Sequence, residues 1–310
     1  MPAPGSTDPL TAPAKEALLA AADLVVLGRM PWSSNATFLC ELWPAGSRPD
    51  AGLAEVPDDG SPPADAWDDD DWDDDERDDP DGEGGAHGEH GDGGAGGSAA
   101  AEGAGEVDGA GQGDAAADAG PLGRAIYKPH RGERPLWDFP DGLFRREAAA
   151  YHLACAIGWD VVPPTVVRDG PFGPGSLQWF VEADFDQHYF TLLEDEATHP
   201  QLRRMAAFDL VANSTDRKGG HVLVDADRHL WAIDNGLCLH AEFKLRTVIW
   251  DFAGEPLPSE LAADLDRFLC AEVPPQVAAV LDPFERDALA ARARALLADG
   301  RLPTDPTGRR

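Results

Sequence analysis

Apolar and polar positions follow two different rhythms along this chain, and the change of rhythm divides it. From Ala14 to Ala22 a run of strong helix formers reads as a short helix. Asp23 to Leu27 and Ala36 to Leu42 read as strands; the Gly/Ser/Pro-rich loop Gly28 to Asn35 between them predicts a hairpin. After a long interruption, Gly123 to Lys128 reads as a third strand, ended by Pro129. Leu143 to Ile157 then sets Phe144, Ala148, Tyr151, Leu153 and Cys155 at helical spacing, with Gly158 as the stop. Val161 to Val167 and Leu177 to Val181 read as two more strands, which makes the first part a small mixed unit of strands with one helix packed on them.

In the second part, Gln201 to Val211 reads as a helix that ends at a polar loop, Asn213 to Gly220. Two short strands follow, His221 to Val224 and His229 to Ile233, joined by a turn through Asp225 to Arg228. Beyond Asp234-Asn235-Gly236 the pattern is helical to the end, with breaks at Pro256, Pro274 and Pro283. No internal repeat is visible, and the tail from about Pro303 is expected to be loose.

The interruption, residues 50–119, changes how length and charge are read. It holds 24 acidic residues against one Arg, so 23 of the chain's net −32 sit there. Like charges and scarce apolar surface predict a disordered insert. A solvated insertion in a hairpin connection costs little stability, so a chain lacking it is expected to fold. The flanks leave about 240 residues, enough for one sizeable core. Their acidic balance argues against nucleic-acid binding and against an electrostatic hold on anionic lipid. No run reaches the ~20 apolar residues of a transmembrane helix, and no signal peptide is visible. Cys40, Cys155, Cys238 and Cys270 are widely spaced, which suits reduced, mostly buried thiols in a cytoplasmic protein.

Phosphoryl transfer asks little covalent chemistry of a protein: a cation for the phosphates, a carboxylate for metal and a carboxylate for the attacking hydroxyl. Lys128 ends a strand and Glu147 lies on the next helix, where the two could pair, although a surface Lys and a surface Glu would look the same. Asp216 follows an apolar helix and Asp234 follows a strand. Both carboxylates should emerge on one side of the small hairpin, suited to metal binding and to orienting a nucleophile, unless they merely stock turns. Lys218 could steady a transferring phosphoryl group, and His221 could be a second metal ligand. Ser33 and Ser34 could lay hydroxyls over phosphates, and the backbone of Val181 and Glu182 could take an adenine edge. His87 and His90, inside the insert, read as an adventitious metal site.

The strings Ile126-Tyr127-Lys128-Pro129, Val162 to Val167, Gly175 to Glu182, Asn213 to Arg217 and Ala232 to Leu237 run in an order that resembles the phosphatidylinositol 3- and 4-kinases. The likeness is greatest to type II phosphatidylinositol 4-kinases and their bacterial relatives, and it covers about 120–240. It implies an α+β, bilobal, protein-kinase-like fold. The strand-rich N-lobe would comprise residues 14–49 and 120–182 and the mainly helical C-lobe 183–302, with the insert at 50–119 and a loose tail at 303–310. It implies ATP and Mg²⁺ or Mn²⁺ as cofactors. Lys128 would bind the phosphates, Glu147 would hold Lys128, and Val181 and Glu182 would form the hinge. Asp216 would be the catalytic aspartate, with Lys218 beside it, and Asp234 the metal-binding aspartate.

The sequence departs from that family in three places. His221 stands where the family has Asn, Lys218 where lipid kinases of this group usually carry His or Gly, and the Cys-rich palmitoylated segment is missing. The reading is therefore an ATP-dependent phosphotransferase acting on a hydroxyl of an unidentified substrate. A nucleotide-binding scaffold with little turnover and an AMP transferase on the same fold are the alternatives.

Overall fold

The computed structural model describes residues 10–30, 35–47 and 120–304. The Ser33 and Ser34 loop, the acidic insert with His87 and His90, and the last six residues lie outside them.

Five strands form one antiparallel sheet: β1 (Asp23–Arg29), β2 (Phe38–Trp43), β3 (Gly123–Pro129), β4 (Thr165–Gly170) and β5 (Gly173–Trp179), in the order β1-β2-β3-β5-β4. The expected hairpin is present, and the strand after the insert pairs with β2, Leu42 opposite Gly123. The insert thus occupies the β2–β3 connection in sequence. Burial alternates along β2 and β3, so that Phe38, Cys40, Leu42, Ala125 and Tyr127 share one face with Leu177 and with Leu19 of α1 (Ala12–Ala21). Lys128, one residue on from Tyr127, projects from the other face.

Several strand boundaries differ from the sequence reading. β1 runs on to Arg29, and β2 spans Phe38–Trp43 where Ala36 to Leu42 is expected. β5 spans Gly173–Trp179 where Leu177 to Val181 is expected, which leaves Val181 beyond it. Pro163 and Pro164 have no N–H to give to a ladder, so β4 begins at Thr165, and Val161 and Val162 are buried in the approach to it. Pro129 closes the last register position of β3, opposite Gly175, instead of standing outside it. Gly175 is required there: a Cβ would lie 2.5 Å from the Lys128 carbonyl oxygen.

The helix α2 (Leu143–Ile157) spans the predicted residues and packs against β4 and β5. Glu133 starts it, accepting the Leu143 and Phe144 amides at 2.9 and 2.5 Å. Gly158, left-handed at φ 89°, ends it by donating to the Ala154 and Cys155 carbonyls. The far face of α2 joins the second core.

That core unites Leu153 and Ile157 with Phe208 of α4 (His199–Ala212), Leu265 of α5 (Ser259–Leu269) and Leu289 of α7 (Pro283–Asp299). The short helices α3 (Tyr189–Leu193) and α6 (Pro275–Ala278) and the two-stranded ribbon β6 (Val222–Val224) and β7 (Leu230–Ala232) complete it. A capping box between Asp282 and Glu285, with Pro283 in the first turn, starts α7. Cys40 and Cys238 are buried as expected of structural thiols, whereas Cys155 and Cys270 are exposed, so only half of the cysteines meet that expectation. Among the described residues no helix is long and apolar enough to cross a membrane.

Candidate functional site

The open end of the β6–β7 ribbon gathers the polar residues that the sequence set apart. Asp216 and Lys218 lie in the loop entering β6, His221 directly precedes that strand, and Asp234 follows β7 by two residues. Ile233 donates its N–H to the His221 carbonyl at 3.0 Å, which extends the ribbon pairing and sets Asp234 beside the imidazole.

Lys128 reaches this end from β3. Its Nζ lies 3.0 Å from Glu147 Oε2 on α2 and 2.8 Å from Asp234 Oδ1. Burial works against the ammonium, but the charges of Asp234 and Glu147 outweigh it and raise its pKa above the ordinary lysine value. Asp234 shifts the opposite way: Lys128, assisted by His221, holds its carboxyl below the usual range. The backbone of Asp234 is left-handed, φ 58°, a conformation that Asp tolerates better than most residues. Glu147 is buried and fully engaged, its Oε1 accepting the Asn235 amide at 2.9 Å. A single carboxylate on α2 thus orients both Lys128 and the turn that carries Asp234.

His221 is half-buried, with Nε2 3.5 Å from Asp234 Oδ2. Its Nδ1 faces the Lys218 amide at 3.4 Å, and burial lowers its pKa against the pull of Asp234. Lys218 is exposed and Asp216 half-buried, 3.5 Å apart in an ion pair worth little to stability. Val181 and Glu182 follow β5, where the chain passes from the sheet to the helices. Among the described residues no other backbone group bonds to the amide or carbonyl of Val181. The Glu182 side chain pairs with Arg124.

A buried network beneath this end was not anticipated from the sequence. Arg217 donates to Asp209 of α4 with Nε at 3.2 Å from both oxygens and Nη2 at 2.9 Å from one. It also donates to the Ile233 carbonyl and to Asn235 Oδ1, both at 2.6 Å, while Thr247 donates to Asp209. The signal was available: Asp209 interrupts the apolar face of α4, and an acid there needs a buried cation. Arg146, beside Glu147, anchors α2 in a similar way, to Glu285 at 2.6 Å and to the Cys238 carbonyl at 2.9 Å.

Carboxylates are the donors a hard divalent cation takes. Asp234 and Asp216 offer carboxylates, and the separation of Asp234 Oδ2 from His221 Nε2 is close to the ~3 Å expected of two ligands on one such ion. The ring fits less well as placed. With Nδ1 accepting from the Lys218 amide, a neutral imidazole carries its proton on Nε2 and has no lone pair there to give. Among the described residues the three potential metal ligands that do come within 4.8 Å of one another are His130, Glu133 and Asp141, not Asp216, His221 and Asp234; of these, Glu133 is occupied in starting α2 and His130 contacts Asp141 at 3.0 Å.

No family model matches the chain. A crystal structure of the Helicobacter pylori proinflammatory kinase CtkA aligns with TM-score 0.33 and 12% identity, covering 58% of this chain and 85% of that one. A likeness of that extent carries no argument about the site. Protein Rv2133c of Mycobacterium tuberculosis (strain ATCC 25618 / H37Rv) is 39% identical over 222 residues, which cover 60% of this chain and 80% of that protein. On that coverage and identity, the chain belongs to the same family as Protein Rv2133c.

Proposed function

We propose that the chain is a bilobal, kinase-like phosphotransferase that uses ATP and a divalent cation, Mg²⁺ or Mn²⁺, to phosphorylate a hydroxyl of an as yet unidentified substrate. One observation carries the reading: Lys128 from the sheet is clamped between Glu147 of α2 and Asp234 beyond β7. A buried carboxylate that orients a lysine toward a second, partly exposed carboxylate puts a cation and a metal-binding group side by side, as phosphate handling requires.

In this reading Lys128 neutralises ATP phosphate oxygens and Glu147 keeps it aimed. The unengaged backbone of Val181, with Glu182, takes the adenine edge. Asp234 holds the divalent cation, which supplies charge neutralisation on the phosphates when bound. Asp216 accepts the proton of the acceptor hydroxyl as its oxygen attacks the terminal phosphorus; the bond from that phosphorus to the bridging oxygen breaks and ADP leaves. Lys218, exposed next to Asp216, stabilises charge on the group in transit. Arg217 touches none of the reacting atoms. It positions them, since its guanidinium joins the loop of Asp216 to the turn of Asp234.

The placement of His221 favours one refinement. Its Nε2–H is read as a donor that orients Asp234, with His221 as a direct metal ligand the alternative. Transfer of AMP would use the same residues with ATP reversed, and the products separate the two reactions. ADP released with the purified chain and Mg²⁺ or Mn²⁺ supports phosphoryl transfer; pyrophosphate in its place assigns nucleotidyl transfer. Tight binding with neither product assigns a scaffold.

A further inference from the structure

Between β7 and α5 the chain runs through residues 233–258 without a helix or strand of its own, so its course is set by ties to distant residues. Residues 237–248 of that stretch frame the loop of Asp216. Thr215 donates its N–H to the Leu237 carbonyl at 2.9 Å, and Arg217 donates to the Arg246 carbonyl at 3.0 Å. Arg246 and Val248 donate back to the Ser214 and Arg217 carbonyls, at 2.9 and 3.1 Å. Both sequence neighbours of Asp216 are thus held by the main chain of this segment. Asn213, the left-handed cap of α4, commits its side-chain amide to the same segment. Its Nδ2 donates to the His240 and Glu242 carbonyls, and its Oδ1 accepts the Lys244 N–H at 2.9 Å.

The Lys244 side chain carries the framing further. Its ammonium donates to Asp138 Oδ2 at 2.8 Å and to the Asp138 carbonyl at 3.1 Å. It also lies 4.0 Å from Glu242 and 5.3 Å from the centroid of the Phe139 ring, which itself packs 5.3 Å from the ring of His240. Asp138 and Phe139 belong to the connection between β3, which carries Lys128, and α2, which carries Glu147. One residue thus ties the segment that frames Asp216 to the connection between the two elements that aim Lys128.

We infer that Lys244 is a positioning residue for the proposed transfer, its bridge to Asp138 fixing where Asp216 stands relative to Lys128. The inference rests on the phosphotransferase reading, in which Asp216 accepts the proton of the attacking group. A half-buried ion pair of this kind adds little to stability, whereas about 1 Å of displacement between reacting groups can cost about 100-fold in rate. The bridge should therefore show in turnover and hardly in unfolding. Lys244 touches none of the reacting atoms, so ATP affinity, which the reading assigns to Lys128 and Asp234, is expected to stay.

The test measures ADP release by the full chain at saturating ATP and Mg²⁺, with water as acceptor, beside ATP affinity by calorimetry and thermal unfolding. Lys244→Met keeps the main-chain bond to Asn213 and should lower the rate about tenfold, with ATP affinity and the unfolding midpoint unchanged. Lys244→Arg, whose guanidinium can still bond the Asp138 carboxylate, should restore most of the rate. Asp138→Ala should slow turnover in the same way, and decides if Lys244→Met does not fold. A wild-type rate in the deciding variant, a loss of rate matched by an equal loss of ATP affinity, or no recovery in Lys244→Arg overturns the inference and leaves the phosphotransferase reading standing. No ADP from the wild type overturns that reading and the inference with it.

Discussion

Arg217 and Asp209 form an ion pair sealed from solvent, with the guanidinium on three hydrogen bonds to one carboxylate and two more to the main chain of Ile233 and the side chain of Asn235. The pair connects a core helix, the loop of Asp216 and the turn of Asp234. The relative position of the two candidate reacting carboxylates therefore depends on a residue that cannot itself reach a substrate.

Removing one member of that pair strands a buried charge. Arg217→Met should destabilise the chain by about 3–5 kcal/mol in urea unfolding. The double variant Arg217→Met with Asp209→Leu should recover part of the loss, because the orphaned carboxylate goes with its partner. A double variant less stable than the single one would show that shape, rather than charge, dominates the site.

Glu147→Gln retains the shape of the side chain that accepts the Asn235 amide but gives up the charge that holds Lys128. Nucleotide affinity should fall about tenfold, with little change in the unfolding midpoint. Unaltered affinity by calorimetry would mean that Lys128 does not need Glu147 to meet phosphate.

His221→Asn separates the two roles of the imidazole. If the ring acts as a donor to Asp234, the order of preference between Mg²⁺ and Mn²⁺ stays as in the wild type, since the asparagine amide can also donate. If the ring is a ligand, its replacement by an oxygen donor shifts preference toward Mg²⁺, and paired metal titrations would register that shift.

His152, half-buried on α2, gives the acid side of the stability curve. Burial lowers its pKa below the ordinary 6.5, with Glu16 opposing the shift. The unfolded chain therefore takes a proton first as pH falls below 6.5, and the folded state loses stability from there down through the depressed folded pKa. Above 6.5 the group contributes nothing. His152→Gln should flatten the fall in unfolding free energy between about pH 7 and about pH 5. Parallel curves for the two proteins would remove His152 as a cause.

The regular elements were legible where one physical signal dominated. The period of α2 and its glycine stop marked that helix, and the run Ala36 to Leu42 marked β2, though its observed bounds are Phe38–Trp43. Pairing of Lys128 with Glu147 was readable because a strand and the next helix carry them toward each other. Other features depend on chain distant in sequence. Nothing local to Asp209 or Thr247 announces that Arg217 will lie between them, and the two commitments of Glu147 appear only when Asn235 arrives from 88 residues away. The start of β4 was misplaced because apolar Val161 and Val162 outweighed the missing amides of Pro163 and Pro164.

In the proposed reaction Asp234 is the group that would join nucleotide and metal to the Lys128 clamp. The direct measurement is calorimetric titration of wild type and Asp234→Asn with ATP, each with Mg²⁺, with Mn²⁺ and without metal. Metal-dependent ATP binding in the wild type that falls by at least about tenfold in Asp234→Asn, while unfolding stays cooperative, is the predicted result. Binding that is equal in the two proteins, or absent from the wild type with either metal, would contradict it.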